Sequence, residues 1–249
     1  MTYAAVTVLG LGLTPAVVTV VGPDLDLPRL MPRVQFHAVR ASETTTFHNI
    51  YRGGKRTQLV KGVSGPVRPS DIPPQWRCAP LVMLAPLVGE VEYELAHRFP
   101  CATVLASLQG WLRQWDDEGR VSQAYWDGTQ LLPHVDAAFL SDKDVEDLEQ
   151  IDRWKRIVPV LIVTMGSEGA RVHFQGRWHR IQPFPVREVD TTGAGDVFGA
   201  AYLVRYRETS DVLEAAQFAS CAASFCVEGE GVSGIPTRSQ VERRLEGHG

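Results

Sequence analysis

The stretch Val189-Asp190-Thr191-Thr192-Gly193-Ala194-Gly195-Asp196-Val197-Phe198-Gly199-Ala200-Ala201-Tyr202 sets a glycine turn and a carboxylate at the start of a predicted helix. Gly193 and Gly195, two positions apart, let the backbone turn tightly and come close to a ligand. The apolar residues Val197, Phe198, Ala200, Ala201, Leu203 and Val204 then continue at helical spacing. The first N–H groups of a helix have no partner inside it, and that end carries partial positive charge. The amides of Gly193, Ala194, Gly195 and Asp196 therefore suit the anion that develops during phosphoryl transfer. Beside them, the Asp196 carboxylate is placed to take the proton of an attacking alcohol. The plainer alternative is an ordinary helix capped by Asp190 or Thr192, with Asp196 merely favouring its positive end.

Outward from this stretch, strands alternate with helices. Apolar, β-branched runs at 17–21, 81–85, 103–106, 137–140 and 160–164 read as buried strands, and helical patterns are predicted over 90–99, 145–156, 196–206, 212–228 and 239–245. Residues 171–174 and 178–181, joined across Gln175-Gly176-Arg177, read as a hairpin. The class is α/β with a mostly parallel central sheet. At 249 residues and 44% hydrophobic content, the chain is expected to form one domain, 1–249, with a small lid.

The lid is predicted over 35–61. There polar and apolar residues alternate through Thr44-Thr45-Thr46-Phe47-His48-Asn49-Ile50-Tyr51, with a turn at Gly53-Gly54 and a return through Arg56-Thr57-Gln58-Leu59-Val60. Proline-rich 66–80 follows as a link back to the core.

Composition excludes several functions. A formal charge of −4 with scattered Lys and Arg provides no basic stripe for nucleic acid or an anionic membrane. The apolar runs are too short to cross a bilayer and no charged leader precedes them, so the expected compartment is the cytoplasm. Cys78, Cys101, Cys221 and Cys226 lack metal or redox spacing and are expected to pack, as are Trp111 and Trp115. The seven histidines show no ligand spacing, and no Gly-x-Ser-x-Gly elbow occurs. Gly53-Gly54-Lys55-Arg56 lacks the first glycine and the Ser or Thr of a phosphate loop, and residues 10–15 lack the third glycine of a dinucleotide turn.

Asp190-Thr191-Thr192-Gly193-Ala194-Gly195-Asp196 resembles the C-terminal signature of the ribokinase-like carbohydrate kinases, the PfkB family. The likeness extends to Val160-Leu161-Ile162-Val163-Thr164-Met165-Gly166-Ser167-Glu168-Gly169-Ala170, which resembles the strand and turn that hold nucleotide phosphates and ribose, and to 229–236, similar to the loop near the adenine. The resemblance implies a three-layer sandwich with a β lid. It also implies phosphorylation of a sugar, polyol or nucleoside hydroxyl by ATP with Mg²⁺, Asp196 as base, and Gly193, Ala194 and Gly195 as anion hole.

By the same resemblance Thr164, Gly166, Gly169 and Ser141 would contact nucleotide. Ser141 and Asp144 stand where the family has Asn-x-x-Glu, so Asp144 would act on the metal through water. Gln109 and Arg113 follow a strand end and would contact the acceptor or phosphate, with a turn Gln and a surface Arg as the alternative. The stretch Thr44-Thr45-Thr46-Phe47 and the Gln109 region resemble the plant inositol kinases of the family.

The family normally opens with a strand carrying a substrate-binding aspartate and a Gly-Gly pair before the helix that Thr2–Gly10 resembles; that strand is missing from this sequence, and the two readings are a start placed too late or a protein that lacks this edge of its substrate site. The alternative to an active kinase is a nucleotide- or metabolite-binding protein on the same scaffold. Homodimerisation through the lid is a further expectation taken from the family.

Overall fold

The computed structural model describes residues 1–52 and 55–247; the expected turn at Gly53-Gly54 lies outside them. Its elements run α1 (Thr2–Gly10), β1 (Ala16–Val21), α2 (Leu27–Leu30), β2 (Gln35–Arg40), β3 (Thr46–Arg52), β4 (Lys55–Gly62), β5 (Leu81–Leu84), β6 (Thr103–Ser107), β7 (Arg113–Trp115) and β8 (Val121–Gln123). They continue with β9 (Ala137–Ser141), α3 (Leu148–Trp154), β10 (Val160–Thr164), β11 (Ala170–Phe174), β12 (Arg177–Ile181), α4 (Ala194–Thr209), α5 (Val212–Cys226) and α6 (Arg238–Glu246).

The central sheet has the order β12-β11-β10-β9-β6-β5. Strands β5, β6, β9 and β10 are parallel, and β11 and β12 add an antiparallel hairpin at one edge. The parallel strands are apolar except at their ends, at Thr103, Ser107, Ser141 and Thr164, because both faces are covered. On one face Leu105, Phe139, Val160 and Ile162 meet Val197, Ala201, Phe218 and Ala222 of α4 and α5, with Val241 of α6 completing that layer. On the other, Val104, Ala106, Leu140, Leu161 and Val163 pack against Trp111, Trp126, Leu131 and Trp154. This is the three-layer α/β sandwich expected from the sequence.

Outside that sheet, β1 and β2 pair in parallel, and β3 with β4, and β7 with β8, form antiparallel hairpins. The expected 35–61 hairpin is therefore corrected. Residues 35–40 belong with β1, and only 46–62 make the lid. The lid is fastened to the β7–β8 hairpin by the Val60 amide, which donates to Gly119 O at 2.8 Å.

Two helix expectations also change. The 90–99 pattern is realised only as a 3₁₀ turn at Tyr93–Arg98, because residues just before it pair with 67: the Val67 amide donates to Glu90 O and the Glu92 amide to Val67 O. The 145–156 pattern becomes helical only at Leu148, where the Asp147 side chain caps the Glu149 amide. Trp111 is buried, whereas Trp115 is 40% exposed, and Cys78 and Cys101 are exposed while Cys221 and Cys226 are buried. Among the described residues no helix is long and apolar enough to cross a membrane.

Candidate active site

Helix α4 fixes the site by its direction. Its fifth residue, Phe198, packs on Phe139 of β9 with ring centroids 6.3 Å apart, while Tyr202, one turn on, lies in the field of Asp136, just before β9 begins. The helix thus runs against the parallel strands, and its positive end points toward their carboxyl ends. In parallel α/β sheets, this is the end where ligands bind.

The start of α4 is uncapped. Gly193 occupies the cap position with φ +80, a left-handed conformation that favours glycine, and no side chain satisfies the first turn. The Ala194 amide turns back onto Thr191 O at 3.3 Å, so of the four expected anion-hole amides it is the one already engaged. Those of Gly193, Gly195 and Asp196 have no partner among the described residues, and nothing lies within 4 Å of where a Cβ on Gly195 would sit. Neither Asp190 nor Thr192 caps the helix by a side-chain hydrogen bond. Unsatisfied donors, the helix dipole and open space coincide here, an arrangement that can hold an anion.

The Asp196 side chain stands on that first turn, 28% exposed, and its Oδ2 accepts a hydrogen bond from the Met1 amino group at 3.1 Å. The carboxylate can therefore be reached by a donor. Beneath the turn, Asp190 accepts from the Thr192 amide at 2.9 Å and from the Gly231 amide at 3.3 Å, tying the glycine turn to the loop at 229–236. The buried Cys226 thiol donates to Thr192 O at 3.7 Å. Burial, then the charges of Asp190 and Asp196, push that thiol up to about 11, so it stays protonated as a donor.

Hydrogen bonds from Thr192 hold the Asp190 carboxyl below its ordinary 3.8. A depressed carboxylate contributes stability that is present above 3.8 and lost as pH falls through the lowered value. Amide exchange at Thr192 and Gly231, corrected for its intrinsic rate, should thus be flat from pH 7 down to about 4.5 and accelerate only below 3.8. Acceleration already near pH 6 would contradict this clamp.

The other expected residues gather at the strand ends. Thr164 and Ser141 are register partners at the last positions of β10 and β9, and Thr164 donates its hydroxyl to Leu140 O at 3.2 Å. Asp144 is held at both oxygens, by the Gln109 Nε2 at 2.9 Å and by the Ser141 amide at 2.8 Å, so Gln109, Ser141 and Asp144 form one network. Arg113 lies 5.2 Å over the ring of Phe47 from the lid and donates to Leu87 O at 3.1 Å. Gly166 is exposed with φ +57, open to a ligand. Gly169 is buried with φ +89, and a Cβ there would strike Ile181 O, so its glycine is required by the turn into β11. No group of three or more His, Cys, Asp or Glu able to hold a metal occurs among the described residues. Sequence reasoning missed the Asp190–Gly231 tie, the Cys226 donor and the ring of Tyr3 over Gly193, all of which join distant parts of the chain.

Residues 130–238 match the description pfkB family carbohydrate kinase. The chain is 44% identical over 86 residues to the ribokinase of Bacillus subtilis, covering 34% of this chain and 29% of that protein. It is 30% identical over 176 residues to the inositol 3-kinase of Zea mays, covering 69% of this chain and 44% of that one. The matched stretches span less than half the length of these relatives. A fructokinase from Xylella fastidiosa, solved with bound ATP, superimposes with a TM-score of 0.80 over 99% of this chain and 89% of its own, at 17% identity. The signature at Asp190 to Asp196 lies inside the stretch 130–238 that matches the pfkB family of carbohydrate kinases, and the chain as a whole has the fold of the ribokinase-like kinases it superimposes on.

Proposed function

We propose that the protein is an ATP-dependent phosphotransferase acting on a hydroxyl of a small sugar, polyol or nucleoside, with 1–249 as a single kinase domain. The observation that carries this reading is the uncapped, ligand-facing start of α4 with the Asp196 carboxylate on its first turn. ATP lies along Thr164, Gly166 and the loop at 229–236, with its γ-phosphate at the amides of Gly193, Gly195 and Asp196. Asp196 accepts the proton of the acceptor hydroxyl as its oxygen bonds to the γ-phosphorus and the bond to the β-phosphate oxygen breaks, releasing ADP. The amides are fixed before reaction, so they stabilise the developing charge without reorganising.

Mg²⁺, when bound with the nucleotide, neutralises phosphate charge. The residues present fit it only indirectly: Asp144, oriented by two donors, keeps lone pairs free to accept from a metal-bound water. Gln109 and Arg113 face the acceptor, and the β3–β4 lid, meeting Arg113 through Phe47, keeps out the water that would otherwise hydrolyse ATP. Pairing of two copies through the lid and a cytoplasmic location belong to the same proposal.

The maize relative's name, inositol 3-kinase, and the sequence at Thr44 to Phe47 favour a cyclic polyol as acceptor. The test is ADP release from MgATP with ribose, fructose, nucleosides and myo-inositol in parallel. Acceptor-dependent release, fastest with myo-inositol, is expected. Nucleotide binding without release for any acceptor would instead identify a binding protein on the kinase scaffold.

A further inference from the structure

We infer that Tyr3 is a positioning residue of the phosphate-binding turn, its ring pressed against Gly193 so that the turn keeps its amides aimed into the ligand space. The inference rests on the phosphotransferase reading above and adds a residue that neither the signature nor its spacing indicates. A Cβ on Gly193 would land among the ring carbons of Tyr3, so the flat face of the tyrosine fills the space that a side chain at 193 would need. Gly193 itself has no side chain to hold it at φ +80, and glycine visits the mirror-image conformation about as readily. From beneath, Asp190 and Cys226 fasten Thr192, one residue earlier, and no side chain caps α4. The Tyr3 ring closes on Gly193 from the α1 side.

The supply of that ring is built into the fold. Helix α1 packs along α4, and Tyr3 is half-buried against the cluster that includes Val197 and Tyr202. Its hydroxyl makes no hydrogen bond among the described residues, so the ring face carries the role. Burial, with the negative charges of Asp190 and Asp196, raises the hydroxyl's pKa, so it stays neutral beside an incoming phosphate.

The test compares Tyr3→Ala and Tyr3→Phe by amide hydrogen exchange at Ala194 and Val197, whose amides donate to Thr191 O and Gly193 O and so report on the turn, in the full-length protein, and by kcat and KM for the acceptor. Tyr3→Ala should speed exchange at these amides by about tenfold or more and lower kcat by about 10–100-fold with little change in KM, the scale of a misplaced reacting group. Tyr3→Phe should behave as the parent in both. Should the alanine variant fail to fold, Tyr3→Leu, apolar but without a flat face, takes its place with the same expectation. Unchanged exchange in Tyr3→Ala, or equal damage in Tyr3→Phe, overturns the role of the ring. A parent protein without turnover, in which Tyr3→Ala still speeds exchange, overturns the kinase reading and leaves the positioning role standing.

Discussion

Replacing Asp196 with Asn should lower kcat by about 10²–10⁴-fold, the range of a lost general base, while KM for ATP stays within about threefold. The amide has nearly the carboxylate's shape and sits on the same first turn of α4, so the donors of Gly193, Gly195 and Asp196 keep their places. What disappears is a group able to take a proton. The ion pair with the Met1 amino group goes too, but both partners are partly exposed, and such pairs contribute at most about 1 kcal/mol. Stability should thus hardly move while turnover collapses. Steady-state kinetics alongside a urea melt separates the two, and a variant with unaltered kcat would remove Asp196 from the chemistry.

Trp154→Ala should destabilise the protein by about 3–5 kcal/mol, the cost of emptying a large buried aromatic site. Trp154 is fully buried at the end of α3, its ring centroid 5.7 Å from that of Trp126, which in turn stacks on Trp111 at 5.6 Å. Its indole N–H donates to Asp127 O at 3.2 Å, and alanine leaves that carbonyl without its partner. These rings back the second face of the sheet, behind Leu140 and Val163. Trp154→Phe should lose less, since most of the volume returns. The urea midpoint reads both variants. An alanine variant within about 1 kcal/mol of the parent would show that the layer can collapse to fill the void.

The central strands were legible because burial on both faces leaves no room for polar residues: Val160-Leu161-Ile162-Val163 reads as one apolar run. The Gln175-Gly176 turn was legible for a similar local reason, since both residues take positive φ as a tight hairpin demands. Residues 35–40 were not. Their alternation marks a strand with one wet face but says nothing about which neighbour it joins or in which direction, and β1 claims it in parallel. The 90–99 segment carries apolar residues at helical spacing, yet its backbone is drawn into pairing with Val67, a competitor some two dozen residues away.

The site divides along the same line. Asp196 and its glycines were visible because the turn, the dipole and the carboxylate are contiguous in sequence. The clamp around them was not, because Asp190 to Gly231 and Tyr3 to Gly193 are contacts that only the folded chain makes.

The eight consecutive residues from Val197 to Val204 are all buried, so the helix that presents the proposed base is also rooted in the middle of the molecule. Such a rod cannot fray by itself. Heating should therefore abolish the proposed catalysis and tertiary structure at one temperature, whereas His48, Asn49 and Ile50 of β3 are exposed and can change without disturbing the interior.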